Sequence, residues 1–296
     1  MSVSLDSALP EWRATRRSFD RATGFDDASF VHDETRRRLL ERLGLFDLEP
    51  RVAVDIGCAT GRGALALAAR YPAARVLALD SSTTMLRAAR ERCAAAPSVA
   101  ALGGDAERLP LRSRTVQLVL ANLVLPWCRP PTLFAEAARV LEDGGLLLFA
   151  TLGPDSLREL RAAWGAVDSA LHVHAAFDLH DIGDVALAAG LAEPVVDVDR
   201  LEVTYSSVAS LVHDLRSCAA VNVAAGRRRG LTSPRRWHAF ERALVAGGNG
   251  ARFAITLELV LGQAWGRGPQ AARQREPAGE IAVPVANVRR PVRGDR

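Results

Sequence analysis

The stretch Val52-Ala53-Val54-Asp55-Ile56-Gly57-Cys58-Ala59-Thr60-Gly61-Arg62-Gly63 decides how this chain is read. Val52 to Ile56 is a short apolar run closed by a glycine, the pattern of a buried parallel strand. An Ala/Leu helix, Gly63 to Arg70, follows at once. Gly57 lets the chain turn sharply, and Gly61 leaves room for a ligand against the backbone where the helix begins. The spacing, Asp55-x-Gly57-x-x-x-Gly61-x-Gly63, is not the G-x-G-x-x-G of a dinucleotide site. Asp55 argues the same way. A pyrophosphate wants helix N–H groups and no nearby anion, whereas a carboxylate suits a cation such as an amino-acid ammonium.

Outward from this turn the chain alternates. Arg75 to Leu79, Val99 to Leu102, Val116 to Ala121 and Leu146 to Thr151 read as strands two to five. Thr84 to Ala95, capped by Ser81 to Thr83, and Leu133 to Leu141, stopped by Asp143-Gly144-Gly145, read as helices between them. This rhythm predicts an α/β fold with a parallel sheet and helices on both faces. Residues 16–49 carry a helical pattern behind a flexible N-terminus, 1–14. Beyond strand five come a helical stretch, 153–177, a helix Asp181 to Ala189, a strand Val195 to Val203, a second helical stretch, 207–247, and a long final strand Phe253 to Ala264. Both helical stretches leave strand ends on the carboxyl edge. They are therefore expected to sit over the crevice where open α/β sheets bind ligands, as a lid. Residues 267–296 are rich in Arg, Pro and Gly without a period, and a disordered tail is expected there.

Three further strand ends carry polar groups toward the same crevice. Asp80, with Ser81 beside it, ends strand two and can take both hydroxyls of a ribose. Asp105, followed by Ala106, can accept from an adenine exocyclic amine. Asn122-Leu123 ends strand four. Each alone passes for a turn residue or cap. Together with Asp55, Gly57, Cys58, Ala59 and Gly61 they form a set specific for a nucleoside bearing a cationic amino-acid group.

Composition narrows the function classes. All 38 basic residues of the 296 are arginine, the net charge is +4 and the sequence pI about 9.3. Arginine bias and a basic tail account for that balance. No stripe of arginine interleaved with aromatics marks a nucleic-acid face. Cys58, Cys93, Cys128 and Cys218 stand in no metal-ligand spacing and no compact disulfide framework, which suits a reducing cytoplasm. Leu5 to Pro10 is too short and too polar for a secretory signal, and the longest apolar runs fall short of the ~20 residues that cross a bilayer.

The set Asp55, Asp80, Asp105 and Asn122 resembles that of the class I S-adenosylmethionine-dependent methyltransferases, over residues 50–152. The resemblance implies a Rossmann-like, seven-stranded, mostly parallel sheet. Its last strand, here Phe253 to Ala264, runs antiparallel between strands five and six. Ala59 stands where that family usually has glycine, which is tolerable if its φ is negative. The chain lacks an N/D-P-P-Y motif after strand four, reading Asn122-Leu123-Val124-Leu125-Pro126-Trp127, and Cys128 lacks the Pro-Cys context of a cytosine C5 enzyme. Trp127 either walls the transfer pocket or belongs to the core.

A narrower resemblance, from about residue 16 to 266, is to the malonyl-[acyl-carrier protein] O-methyltransferases of biotin synthesis. It rests on Phe19-Asp20-Arg21-Ala22 with Phe25-Asp26 and His32, on Gly153-Pro154-Asp155-Ser156-Leu157-Arg158-Glu159-Leu160, on His180-Asp181-Ile182-Gly183-Asp184, and on Asp214-Leu215-Arg216 with Asn222 and Gly230-Leu231-Thr232. It implies one methyltransferase domain, 15–266, and an acyl carrier protein bearing malonyl-phosphopantetheine as partner. No nucleic acid or membrane is expected. The nucleophile, a carboxylate, is already ionised at neutral pH and needs no general base. An arginine from the insertions is expected to select it, Arg216 first and Arg158 second, with His180 orienting the substrate. Arg16, Arg17, Arg21 and Arg227-Arg228-Arg229 are candidates for steering an acidic carrier. The same stretches resemble a relative that hydroxylates protein arginine in respiratory complex I assembly. A quinone or phenol methyltransferase is a third reading, favoured by a wide apolar cavity without arginine.

Overall fold

The computed structural model describes residues 9–174, 176–247 and 252–267. The N-terminal helical pattern forms α1 (Trp12–Arg21), the single turn α2 (Phe25–Ala28) and α3 (Phe30–Arg42), ending in a 3-10 turn at Leu43–Leu45. The break falls at Gly24, whose φ of 77° takes the chain out of the helix. There follow β1 (Val52–Ile56), α4 (Arg62–Arg70), β2 (Arg75–Asp80), α5 (Thr83–Arg92), β3 (Val99–Gly103), β4 (Val116–Asn122), α6 (Pro130–Val140), β5 (Leu141–Leu152) and α7 (Arg158–Gly165). The chain continues through α8 (Leu179–Ala188), β6 (Leu191–Tyr205), α9 (Val208–Ser217), α10 (Pro234–Ala246) and β7 (Phe253–Gly266).

The strands join in the order β3-β2-β1-β4-β5-β7-β6, with β7 antiparallel to both neighbours and the other pairs parallel. The expected seven-stranded sheet and its antiparallel insertion are therefore present. Within β1, β4 and β5 successive side chains feed opposite layers, as the period of two requires. Ile56, Val119 and Phe149 face α6 and α8, while Ala53, Leu118 and Leu148 face α3, α4 and α5.

Asp143-Gly144-Gly145 does not act as the helix stop expected of it. α6 ends at Val140, and Leu141 already pairs with Val116, so the triplet forms a bulge inside β5. Gly144 takes a φ of 74° there. The two long insertions do share one place. α7, α9 and α10 pack a core of their own, with Leu160, Leu211, Phe240 and Leu244 buried against Tyr205, Phe253 and Ile255 of β6 and β7.

The N-terminus departs from expectation. Residues 1–8 of the segment expected to be flexible lie outside the described residues, but Leu9 to Ala14 are tied down. Glu11 N–H donates to the Val223 carbonyl at 2.8 Å, Ala225 N–H donates to the Leu9 carbonyl at 2.9 Å, and Trp12 opens α1. The Glu11 carboxylate also holds Arg227 at 2.9 Å and Arg229 at 3.2 Å. These partners lie more than 200 residues away, so no local pattern announces them. The expected tail lies, from 268 to 296, outside the described residues. Among the described residues no helix is long and apolar enough to cross a membrane.

Candidate active site

Asp55 is buried at the carboxyl end of β1. Its carboxylate accepts from the Ala64 N–H of α4, while Oδ2 has no partner among the described residues. Burial, reinforced by the nearby Asp80 carboxylate, pushes its pKa up to about 7. A Cβ on Gly63 would stand 2.5 Å from Asp55 Oδ2, so only glycine lets α4 come this close. Gly61 has a φ of 83°, and the space it leaves is filled by Ala89 of α5, about 3 Å from where its Cβ would lie. Its role here is to seat helix on helix, a correction to the expected room for a ligand. Ala59 also departs from expectation, with a φ of 45° instead of a negative value. Its N–H donates to Asp80 Oδ2 at 2.9 Å, and this bond holds the residue in a region that costs an L side chain about 1 kcal/mol or more.

Asp80 is buried, and its second oxygen accepts from Ser82 N–H at 2.8 Å. Burial raises its pKa in spite of these bonds. Each carboxylate oxygen keeps a free lone pair, so the carboxylate can still accept from a ribose. Gly104 N–H donates to the Asp80 carbonyl at 3.0 Å, which sets Asp105 and Ala106 beside the end of β2, next to Ser81. α1 lies along this edge, with Asp20 Oδ1 accepting from Ser82 Oγ at 2.7 Å.

The N-terminal helices close the turn. A small cavity of ≈30 Å³ lies among Asp55, Gly57, Cys58 and Ala59 of the turn, Asn122 of β4, and Ser29, His32 and Arg36 of the α2–α3 segment. That is room for a group the size of one water or ammonium. Thr60 Oγ donates to Asp26 Oδ1 at 2.6 Å, and Arg62 bridges to Asp33 at 2.6 Å. Asn122 is spent partly on the same closure, its side chain accepting from Thr35 Oγ at 2.7 Å and donating to the His32 carbonyl at 2.9 Å. His32 is half-buried with its ring Nδ1 shut away from solvent, and desolvation brings its pKa down to about 4, so the ring is neutral. Leu123 is buried at the end of β4.

A second, larger cavity of ≈290 Å³ lies over the carboxyl ends of β4 and β5, roofed by both insertions. Leu125, Trp127 and Leu152 line its floor. Trp164 of α7 is stacked between His172 (3.8 Å) and Phe240 (4.2 Å), and His172 Nε2 meets Asp168 Oδ1 at 2.8 Å. Asn222 Nδ2 donates to the Leu171 carbonyl at 2.6 Å, tying one insertion to the other. His174 Nε2 accepts from Val223 N–H at 2.7 Å, and burial brings its pKa down to about 4. Trp127 meets Phe19 and His174 edge-on, at 5.3 and 5.5 Å. It walls the cavity, one of the two roles expected of it.

The predicted substrate residues are only partly brought together. Arg216 reaches this cavity. Arg158 does not: it is exposed and paired with Glu159 at 3.1 Å. His180 is also outside, exposed in the first turn of α8, where its N–H is capped by Asp178 Oδ1 at 3.0 Å. The cavity's half-buried arginine is instead Arg161. Its guanidinium donates to the Pro154 carbonyl and has no carboxylate pair among the described residues, and desolvation lowers its pKa. A sequence signal existed, because Arg161 falls in the apolar stripe Leu157, Leu160, Trp164 at helical spacing. Arg36 and Ser29 had no comparable signal, and His32, though part of the N-terminal resemblance, was not placed at the turn by it, since all three reach the turn through the path of α2 and α3.

Residues 54–149 match a methyltransferase domain family. The chain is 41% identical over 262 residues to the malonyl-[acyl-carrier protein] O-methyltransferase of Laribacter hongkongensis, covering 84% of this chain and 88% of that protein. It is 39% identical over 297 residues to the protein of the same name from Methylovorus sp., covering 95% of each. Among solved structures it is similar to the YcgJ protein of Bacillus subtilis, with a TM-score of 0.59 at 15% identity over 80% of this chain and 100% of that one. A putative methyltransferase of Bacillus halodurans gives a TM-score of 0.55 at 17% identity, over 79% and 100%. These two structures agree with the fold described above.

Proposed function

Since this chain belongs to the malonyl-[acyl-carrier protein] O-methyltransferases, we propose that it esterifies the free carboxylate of a malonyl group on acyl carrier protein. S-adenosylmethionine is its cofactor and supplies an electrophilic methyl group on a sulfonium. The methyl ester formed starts the pimeloyl chain of biotin. The four free thiols, Cys58, Cys93, Cys128 and Cys218, suit a cytoplasmic setting. The catalytic domain takes in the sheet, both insertions and the leading segment from Leu9.

The turn fits the cofactor by its donor set. Among the described residues Asp55 Oδ2 is a buried acceptor without a partner, and an ammonium repairs that deficit. We assign Asp55, Gly57, Cys58 and Ala59 to the amino-acid end, with Asn122 and Leu123 beside them. Asp80 and Ser81 serve the ribose, and Asp105 and Ala106 the base.

One observation carries the acceptor assignment. The cavity over β4 and β5 is mostly apolar, yet holds the half-buried, carboxylate-free guanidinium of Arg161. A cation left in that position wants an anion, and a planar guanidinium meets a carboxylate through two parallel hydrogen bonds. The presence of Arg161 and Arg216 also counts against a quinone or phenol acceptor. The chain's own contribution is binding, orientation and dryness. Arg161 aims the acyl carboxylate, Trp127 and Leu125 wall the reacting edge, and the cap formed by α7, α9 and α10 excludes water. The carboxylate is ionised at neutral pH, so no side chain has to take a proton. Neutral His174 fits that scheme. The residues must hold the carboxylate oxygen within roughly 3–3.5 Å of the methyl carbon, in line with the bond that breaks.

Purified protein, S-adenosylmethionine and malonyl-carrier protein should give carrier whose malonyl group is a methyl ester, with one methyl in place of one hydrogen, and an equivalent of S-adenosylhomocysteine. Folded, cofactor-binding protein that leaves the carrier's mass unchanged refutes the assignment. A gain of one oxygen on a protein arginine supports the hydroxylase reading instead.

A further inference from the structure

A groove of ≈670 Å³ opens beside the acceptor cavity and shares Val212, Arg216 and Trp237 with it. Arg21, at the end of α1, and His213 and Arg216, on α9, face this groove. The two arginines stand 195 positions apart. Ser18 Oγ donates to the Ala219 carbonyl at 3.2 Å and holds the end of α1 against the end of α9. Phe19 and Ala22 pack with Ala219 and Cys218 at the same junction. Neither Arg21 nor Arg216 has an ion-pair partner among the described residues. The one carboxylate among the described residues that line the groove, Glu241, is engaged by His238 Nδ1 at 3.0 Å.

We propose that this groove binds the phosphodiester of the carrier's phosphopantetheine arm, with Arg21 and Arg216 as its cationic ligands and His213 alongside. The inference rests on the malonyl-thioester reading above. It gives Arg216 a different partner from the one expected at the outset. Half-buried Arg161 meets the acyl carboxylate inside the cavity, while exposed Arg216, at the junction, meets the phosphate outside. The pantetheine chain then runs past Val212 and Trp237 from groove to cavity. Its phosphate end stays in water, where a paired anion carries little desolvation cost. Both arginines present planar forks suited to phosphate oxygens.

The test compares malonyl-pantetheine with malonyl-phosphopantetheine as small substrates, which differ only in the phosphate. Wild-type protein should show a KM roughly tenfold lower for the phosphorylated substrate. Arg21→Ala and Arg216→Ala should each bring that ratio toward one, and Glu241→Gln, which removes the groove's anion, should raise it. High salt should lower the wild-type ratio. Arg216 in the last turn of α9 also complements the helix dipole, but that role alone leaves the ratio unmoved. A wild-type ratio near one, a ratio unchanged in both arginine variants, or a ratio lowered by Glu241→Gln overturns the phosphate site while leaving the methyl transfer itself intact. Failure of wild-type protein to methylate either substrate or the malonyl carrier protein overturns the underlying reading instead.

Discussion

Cofactor binding should be coupled to a proton at Asp55. Burial holds this carboxyl's pKa at about 7 in the ligand-free protein, and an ammonium beside Oδ2 favours the ionised form. Binding below that pH must first release the proton, so the apparent Kd is the intrinsic Kd divided by the ionised fraction. With a pKa of about 7, roughly a tenth of the protein is ionised at pH 6 and nine-tenths at pH 8, so affinity should be about tenfold weaker at pH 6. Isothermal calorimetry with S-adenosylhomocysteine, which carries the same ammonium and does not react, reads this directly. The heat should also vary with the ionisation enthalpy of the buffer near pH 6, because a proton leaves. Asp55→Asn cannot release one, so its affinity should be weaker and flat over the same range. A wild-type Kd that stays constant from pH 6 to 8, or an Asp55→Asn variant that keeps the wild-type slope, would falsify the reasoning.

The same group sets a stability effect of defined sign. The folded pKa of Asp55 lies above its ordinary value of 3.8, so its contribution to stability is present at low pH and is lost as pH rises from about 4 to about 7. Ionising it costs about 4 kcal/mol, against about 1–3 kcal/mol for an unpaired amide in its place, so ligand-free Asp55→Asn should melt higher than wild type at pH 8. That advantage should be gone by pH 4, and a melting point lowered at pH 8 would contradict it. Gly63→Ala should abolish cofactor binding, because its Cβ would stand 2.5 Å from Asp55 Oδ2; a titration with wild-type affinity would show that α4 can move aside. Ala59→Gly should leave the protein as stable or up to about 1 kcal/mol more stable by urea denaturation, whereas Ala64→Gly inside α4 should cost about 1 kcal/mol. Arg161→Ala should lower kcat/KM on malonyl-carrier protein by roughly 10- to 100-fold and Arg158→Ala by less than about twofold, and equal losses would refute the assignment of Arg161.

How much of this was legible in advance differs between the two halves of the site. The cofactor edge is written locally. Strand, glycine turn and helix follow one another within twelve residues, and Asp80, Asp105 and Asn122 each stand at a strand end that its own apolar run announces. In a parallel sheet those ends must share an edge, so the sequence is enough to gather them. The sign of the Ala59 dihedral was not in that pattern. It is set by Asp80 Oδ2, which belongs to the next strand.

The acceptor side is tertiary. Arg158 and Arg161 sit three residues apart on one helix, and only the face that α7 turns to the cavity separates a solvent-exposed ion pair from a half-buried cation. The apolar stripe of α7 carried that phase, but nothing local said what the stripe faced. Leu9 to Glu11 needed Val223 to Ala225 to become ordered, and Arg21 needed Arg216. By itself, then, the sequence determined the sheet, the turn and the acidic edge, because period-two burial and glycine geometry act over a few residues. Only the folded chain decided which arginine lies in the dry cavity and which at its mouth, because burial and pairing of a charge depend on neighbours far away along the chain.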